Sequence, residues 1–132
     1  MNTNTSSGHR ERLRERFEKN GFNGFHDYEV LEFLLTFIFR QGDVKPVAKD
    51  LIKTFGSFSK VLDAPIEKLA SVKGMGKVSA ISLSGFRMAM AVYFTDKIKE
   101  QPEQLTKMSA LVEMLRSNIL VTKSTKFYSQ FF

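Results

Sequence analysis

Helical spacing of apolar residues runs through most of the chain, and its breaks fall at glycines and prolines. In His9 to Lys19, HRERLRERFEK, Leu13 and Phe17 lie four apart on one side, while Glu11 and Glu15 stand at helical separations from Arg12, Arg14 and Arg16. This is a surface helix with a thin apolar stripe and a solvated, salt-bridged face. Residues 1–8 are polar and carry no packing signal, so a disordered tail is expected there. The run GFNGF ends the first helix, and Asp27 is placed to cap the next stretch, Tyr28 to Phe39. That stretch is hydrophobic nearly all round, which predicts the central buried helix. Val47, Leu51, Ile52 and Phe55 resume helical spacing, with Lys45, Lys49 and Lys53 four apart on the opposite face and Gly56 as the stop. A short helical turn then carries Phe58, Val61 and Leu62 inward.

The most informative stretch is Ile66 to Phe94, IEKLASVKGMGKVSAISLSGFRMAMAVYF, which reads as two helical patterns joined by a glycine hinge. Pro65 suits the start of the first, because its missing N–H would have no partner there. Gly74 and Gly76 let the backbone turn sharply and open a second helix whose first N–H groups point outward, forming an anion site. In the second helix Ser79, Ala80, Ser82, Ser84, Gly85, Ala89 and Ala91 are small enough to let neighbouring backbones approach. Ile81, Gly85, Met88 and Val92 follow helical spacing as its expected inner face.

At 132 residues the chain has room for about one domain with extensions. Thirteen Phe and no Trp or Cys predict a core of Phe, Leu, Ile and Met without disulfides, and zero cysteines fit a reducing compartment. The N-terminus MNTNTSSGHR has no apolar signal-peptide core. The most apolar run, Val30 to Phe39, is interrupted by Glu32 and falls short of the roughly 20 residues a membrane span needs. The expectation is a soluble cytoplasmic protein with no membrane partner.

Charge sharpens this picture. The net charge is +6, and residues 1–40 hold six cations and six anions whereas residues 41–100 hold ten and six. The excess lies with the glycine hinge, where Lys73, Lys77 and Arg87 meet no Asp or Glu between Glu67 and Asp96. A polyanion is the partner this distribution fits. The candidate phosphate-binding set is therefore Lys73, Gly74, Met75, Gly76, Lys77 and Arg87. Glu29 and Glu32 could resemble an acid pair, but no His or Asp is placed in sequence to join them, and they read as exposed or capping residues. No catalytic residue, metal ligand or cofactor is expected.

Val72, Gly74, Met75, Gly76 and Ala80 match in order the pattern of the helix-hairpin-helix of DNA-binding proteins, which this stretch resembles. Lys73 stands where that motif usually has Pro, and Met75 where it has Ile or Val, which predicts a less rigid hairpin. The resemblance widens through GHRERLRERF, HDYEVLEFLL, KPVAKDLIKTFGSFSKVLDAP and VKGMGKVSA, which in this order and spacing look like the N-terminal helical domain of the RadC family of bacterial proteins. It covers about residues 8–94 and implies an all-α fold: a compact bundle of about five helices containing the hairpin, with a C-terminal extension. Lys49 to Leu62 would then be a degenerate first hairpin. Domain bounds follow as a tail at 1–8, the helical domain at 9–100, and at 101–132 a linker and the truncated start of the JAB/MPN-like domain that follows in this family. That second domain needs a His-X-His pair with downstream Ser and Asp for its zinc, and this sequence has only His9 and His26.

The family carries an association with DNA repair, and the resemblance together with the charge pattern implies a module that grips DNA phosphates without reading bases. No aromatic sits within the hairpin to stack on bases. The alternative is a protein-interaction or dimerisation scaffold for the zinc metallopeptidase-like domain absent from this chain. Met75, expected to be exposed at the hairpin tip, and a C-terminal segment Lys126 to Phe132, expected to pair between two copies as a homodimer, suit that alternative.

Overall fold

The computed structural model describes residues 2–100 and 105–121, and every element in it is helical. Seven helices follow in chain order: α1 (Asn2–Asn20), α2 (Asp27–Ile38), α3 (Lys45–Phe55), α4 (Phe58–Asp63), α5 (Ile66–Ala70), α6 (Lys77–Glu100) and α7 (Leu105–Val121). The number exceeds five because the short α4 and α5 are separate helices and α7 adds to the C-terminal side. Helix α1 begins at Asn2, ahead of the expected start at His9. Within the expected extension at 101–132 the structure describes one helix, α7, while residues 101–104 and the segment Lys126 to Phe132, expected to pair between two copies, lie outside the described residues.

The core is aliphatic. Leu31 and Leu35 of α2, Ala48 and Leu51 of α3, Val61 and Leu62 of α4, Leu69 of α5, and Ala80 and Leu83 of α6 form one buried cluster with Val44, Ala64 and Val72. Leu is the only one of the expected Phe, Leu, Ile and Met in the buried cluster itself; Phe39, Phe55, Phe58, Phe86, Ile52 and Met90 pack half-buried around it. Four other phenylalanines form a chain where α1 meets α2, with Phe17 stacked on the buried Phe33 at 4.7 Å, Phe22 edge-on to Phe17 at 4.8 Å and Phe37 edge-on to Phe33 at 5.3 Å. Large flat rings fit a shallow seam between two helices, whereas the interior of a bundle of short helices selects small branched side chains.

Polar contacts fasten α1 to this frame. The Arg10 guanidinium donates to the carbonyls of Thr36, Phe39 and Gly42, at 3.2, 2.9 and 2.9 Å, which satisfies acceptors at the α2 C-terminus that the helix itself leaves free. Arg16 pairs with Glu29 at 2.8 Å and lies over the Phe25 ring. The start of α2 differs from the expected cap at Asp27. His26 holds the cap position, its N–H donates to the Glu29 carboxylate at 3.0 Å, and Asp27 is the first helical residue. Glu29 is thus a capping residue, as expected of one of the two acids. The other is not.

Glu32 is fully buried and meets His9 Nε2 at 2.5 Å, so α1 brings to it a histidine 23 residues away. Sequence spacing could not place that residue, because the contact depends on how α1 lies across α2. The second Glu32 oxygen, Oε1, has no partner.

Helix α6 is the axis on which α4, α5 and α7 pack. By length and composition it could cross a membrane, but a third of that apolar window is buried in the bundle, including Ala80, Leu83 and Arg87. Its buried face is Ser79, Ala80, Leu83, Ser84, Arg87 and Ala91. The expected inner face was the opposite one: Ile81, Gly85 and Val92 are exposed and Met88 is half-buried. Both faces of α6 are apolar, so periodicity alone could not choose between them. Close packing chose the side with Ala and Ser, where α5 and α4 approach.

Candidate nucleic-acid interface

Helix α5 ends at Ala70, and the six residues Ser71 to Gly76 reverse the chain into α6. The reversal is held by three backbone bonds in succession: Ser71 N–H to the Lys68 carbonyl at 3.2 Å, Val72 N–H to Leu69 at 3.2 Å and Met75 N–H to Val72 at 2.9 Å. Val72 is buried in the core and anchors the turn from below. Gly74 has φ +88, a left-handed conformation that an L side chain rarely adopts. It also faces α3 so closely that an added Cβ would lie 2.6 Å from Val47 Cγ2.

Gly76 opens α6 differently. Its carbonyl accepts the first helical bond, from Ala80 N–H at 3.0 Å, its φ is not positive, and nothing lies within 4 Å of an added Cβ. Ser79 Oγ accepts from the Gly76 N–H at 2.8 Å and sits 3.0 Å from the Gly76 carbonyl. The hydroxyl three residues into the helix therefore caps the residue before it, the position a Glu or Gln takes in a capping box. Sequence reasoning counted Ser79 only as a small residue. The spacing Gly76-X-X-Ser79 was the signal that could have found this cap.

These bonds narrow the anion site. The Met75 and Gly76 amides, expected to be unpaired, are both taken within the turn. Helix geometry leaves the amides of Lys77, Val78 and Ser79 without intrahelical partners, so the donors at the helix mouth sit just past the glycines. Lys73, Gly74, Gly76 and Lys77 are exposed around that mouth, and neither lysine makes an ion pair among the described residues. Met75 is half-buried against the core, correcting the expectation of an exposed tip. An apolar side chain between two glycines is drawn down into the bundle while the backbone on either side stays at the surface.

Arg87 leaves the set. It is 1% exposed, on the far side of α6 from solvent, and its Nη1 donates to the Leu115 carbonyl of α7 at 2.7 Å, while Nε has no partner. Burial pushes its pKa below the ordinary guanidinium value, and the charge of Asp63 opposes that shift. Arg87 lies eleven residues past Gly76, about 16 Å along the helix at 1.5 Å per residue, on the buried face with Ala80, Leu83, Ser84 and Ala91. What remains is a small cationic mouth of Lys73, Lys77 and the first amides of α6, rigidly backed by Val72, Val47 and Met75.

Among the described residues no three His, Asp or Glu side chains lie together as a metal ion requires. The His9–Glu32 pair stands apart from the hairpin and joins α1 to α2.

The family model described as UPF0758 N-terminal matches residues 5–81, which takes in the whole path from α1 to the first turn of α6. A UPF0758 protein of Fusobacterium nucleatum subsp. nucleatum is 34% identical over 134 residues, covering 97% of this chain and 58% of the relative. A UPF0758 protein of Ruegeria pomeroyi is 47% identical over 88 residues, covering 63% of this chain and 39% of the relative. The chain thus spans well under two thirds of the length of either relative. No solved structure matches it.

Proposed function

The chain belongs to the UPF0758 family, and from that premise we propose that its helical bundle is a non-sequence-specific DNA-binding module that grips the phosphate backbone at the α5–α6 turn, in the manner of a helix-hairpin-helix. One observation carries this reading: two unpaired lysines, Lys73 and Lys77, flank a glycine turn at the mouth of a long helix whose first amides are free of intrahelical partners. A phosphate oxygen approaching over Gly76 meets no side chain there. The absence of any acidic residue in sequence from Lys68 to Thr95 keeps the local potential positive.

The module contacts phosphates and not bases, because the turn presents no aromatic or amide side chain to a groove. Binding is accordingly weak, in the range of roughly 10⁻⁴ to 10⁻⁶ M at physiological salt. The DNA-repair association of the resembled family fits such a module, which would hold a longer protein on DNA while chemistry takes place elsewhere. We assign no catalysis and no cofactor to this chain, and we place it in the cytoplasm on its composition. The test is a titration of duplex and single-stranded DNA over a range of salt concentrations. With Arg87 withdrawn, two lysines remain to displace counterions, and the log–log slope for duplex is expected to be about −2, at roughly 0.9 per neutralised phosphate. A slope near zero, or no binding at low salt, contradicts the proposal.

A further inference from the structure

The outward face of α6 is built to be covered. Between Lys77 and Asp96 the helix carries one charged residue, Arg87, and that one is buried. The solvent side is left with Val78, 78% exposed, Ile81, Gly85, Ala89 and Val92, 63% exposed, with Ser82 and Met88 at its margins. Val78, Ile81, Gly85, Met88 and Val92 are spaced three and four apart by turns, the seam of a paired helix. A helix that is apolar all round is ordinarily buried all round, yet only one side of α6 is buried by the bundle.

From this pattern we infer that the face docks a second copy of the chain, α6 against α6, antiparallel about a two-fold axis at Gly85. The sequence on the face is complementary to itself in that arrangement. Seven residues to either side of Gly85 stand Val78 and Val92; four to either side stand Ile81 and Ala89; three to either side stand Ser82 and Met88. Each large side chain therefore faces a small one or an equal, and Gly85 faces Gly85, where nothing lies within 4 Å of its absent Cβ and two backbones can approach. Charge selects the same orientation. Lys77 closes the face at one end and Asp96 at the other, both exposed and neither in an ion pair among the described residues. An antiparallel pair brings each Lys77 within a helical turn of the partner's Asp96, whereas a parallel pair sets like against like. The seam from Val78 to Val92 is about 21 Å long at 1.5 Å per residue. One helix face of that length is smaller than a standard interface, so association in the micromolar range is expected.

The inference shares Lys77 with the DNA-binding reading, so its test is run without DNA and rests on Gly85, Val92 and Asp96, which that reading does not use. Sedimentation of the 132-residue chain over a wide concentration range is expected to show a monomer–dimer equilibrium. Gly85→Trp and, separately, Val92→Glu are expected to shift it to monomer, with circular dichroism reporting that each stays folded; Asp96→Lys is expected to weaken it at least tenfold. Because the chain has no cysteine, orientation can be read by oxidation. A mixture of Val78→Cys and Val92→Cys chains is expected to cross-link between the two variants. Cross-linking of Val78→Cys only to itself overturns the antiparallel arrangement. A parent chain that is monomeric up to millimolar concentration overturns the inference altogether. Co-sedimentation of such a monomer with phosphatidylcholine vesicles would assign the face to a membrane instead.

Discussion

Gly74 of the turn and Val47 of α3 stand so close that a Cβ on the glycine would fall 2.6 Å from Val47 Cγ2. The turn is therefore pressed against the bundle at Gly74 and free of it at Gly76. The two glycines that look equivalent in sequence have different tasks, and substitution separates them. Gly74→Ala meets both a left-handed backbone and a clash, and is expected to cost about 2 kcal/mol or more. Val47→Ala in the same chain should recover the steric part and leave the backbone part. Gly76→Ala is expected to stay within about 1 kcal/mol of the parent, as an exposed helix-start position. Urea unfolding of the three variants checks this, and equal costs at the two glycines would contradict it.

A bulky residue at Gly76 then becomes a probe of binding alone. Gly76→Leu is expected to fold, since its side chain enters open space, and to weaken DNA binding by obstructing a phosphate at the helix mouth. A fluorescence anisotropy titration with duplex DNA reads the loss. An affinity equal to the parent's would show that DNA does not approach over Gly76.

Arg87 gives the opposite case. Arg87→Met removes a buried charge that lacks a hydrogen-bonded carboxylate and keeps most of the side-chain volume, so stability is expected to change by little or to rise. The salt slope of DNA binding should be unchanged. A slope shallower by about one unit would return Arg87 to the phosphate contacts.

How much of this was legible in the sequence depends on what each residue type can signal. Helix breaks at Gly56 and Gly74 were legible because both are left-handed, a conformation that favours glycine. The exposed lysines of the turn were legible because charge runs locally. The orientation of α6 was not, because apolar residues cover its whole circumference and the choice of face belongs to tertiary packing. Arg87 followed that error: its charge spoke for the surface, and only the position of α7 shows it buried. Glu32 was lost in the same way, since its partner His9 lies on another helix.

The His9–Glu32 contact makes its own prediction. His9→Ala leaves a fully buried carboxyl group without its hydrogen-bond partner and is expected to cost about 1–3 kcal/mol, whereas Glu32→Met, which removes the buried group, should cost less. Thermal unfolding of both variants checks the order, and a greater loss for Glu32→Met would contradict it.

Acid weakens the α1–α2 junction at the Arg16–Glu29 pair. The hydrogen bond from Arg16, with a smaller contribution from the His26 N–H, holds the Glu29 carboxyl below its ordinary pKa, while partial burial opposes the shift. A lowered folded-state pKa means that the stabilisation is present above the unfolded-state value and is lost as pH falls through the folded-state value. Because Arg16 is 43% exposed, solvent screens the pair, and Glu29→Gln is expected to cost no more than about 1 kcal/mol at neutral pH. The difference from the parent should vanish in acid. Stability curves for the two chains from neutral pH down to about pH 2 check the sign.

Duplex DNA affinity of the parent and of the double variant Lys73→Glu with Lys77→Glu, measured at low salt with circular dichroism on both, decides whether the α5–α6 turn is the DNA contact. Both side chains are exposed and without ion pairs, so the variant is expected to keep the parent's helical content and melting temperature. Its DNA binding is expected to disappear, because the two cations that meet the phosphates have become anions. A folded double variant that binds duplex DNA as tightly as the parent would contradict the account, and the α5–α6 turn would no longer be the contact surface.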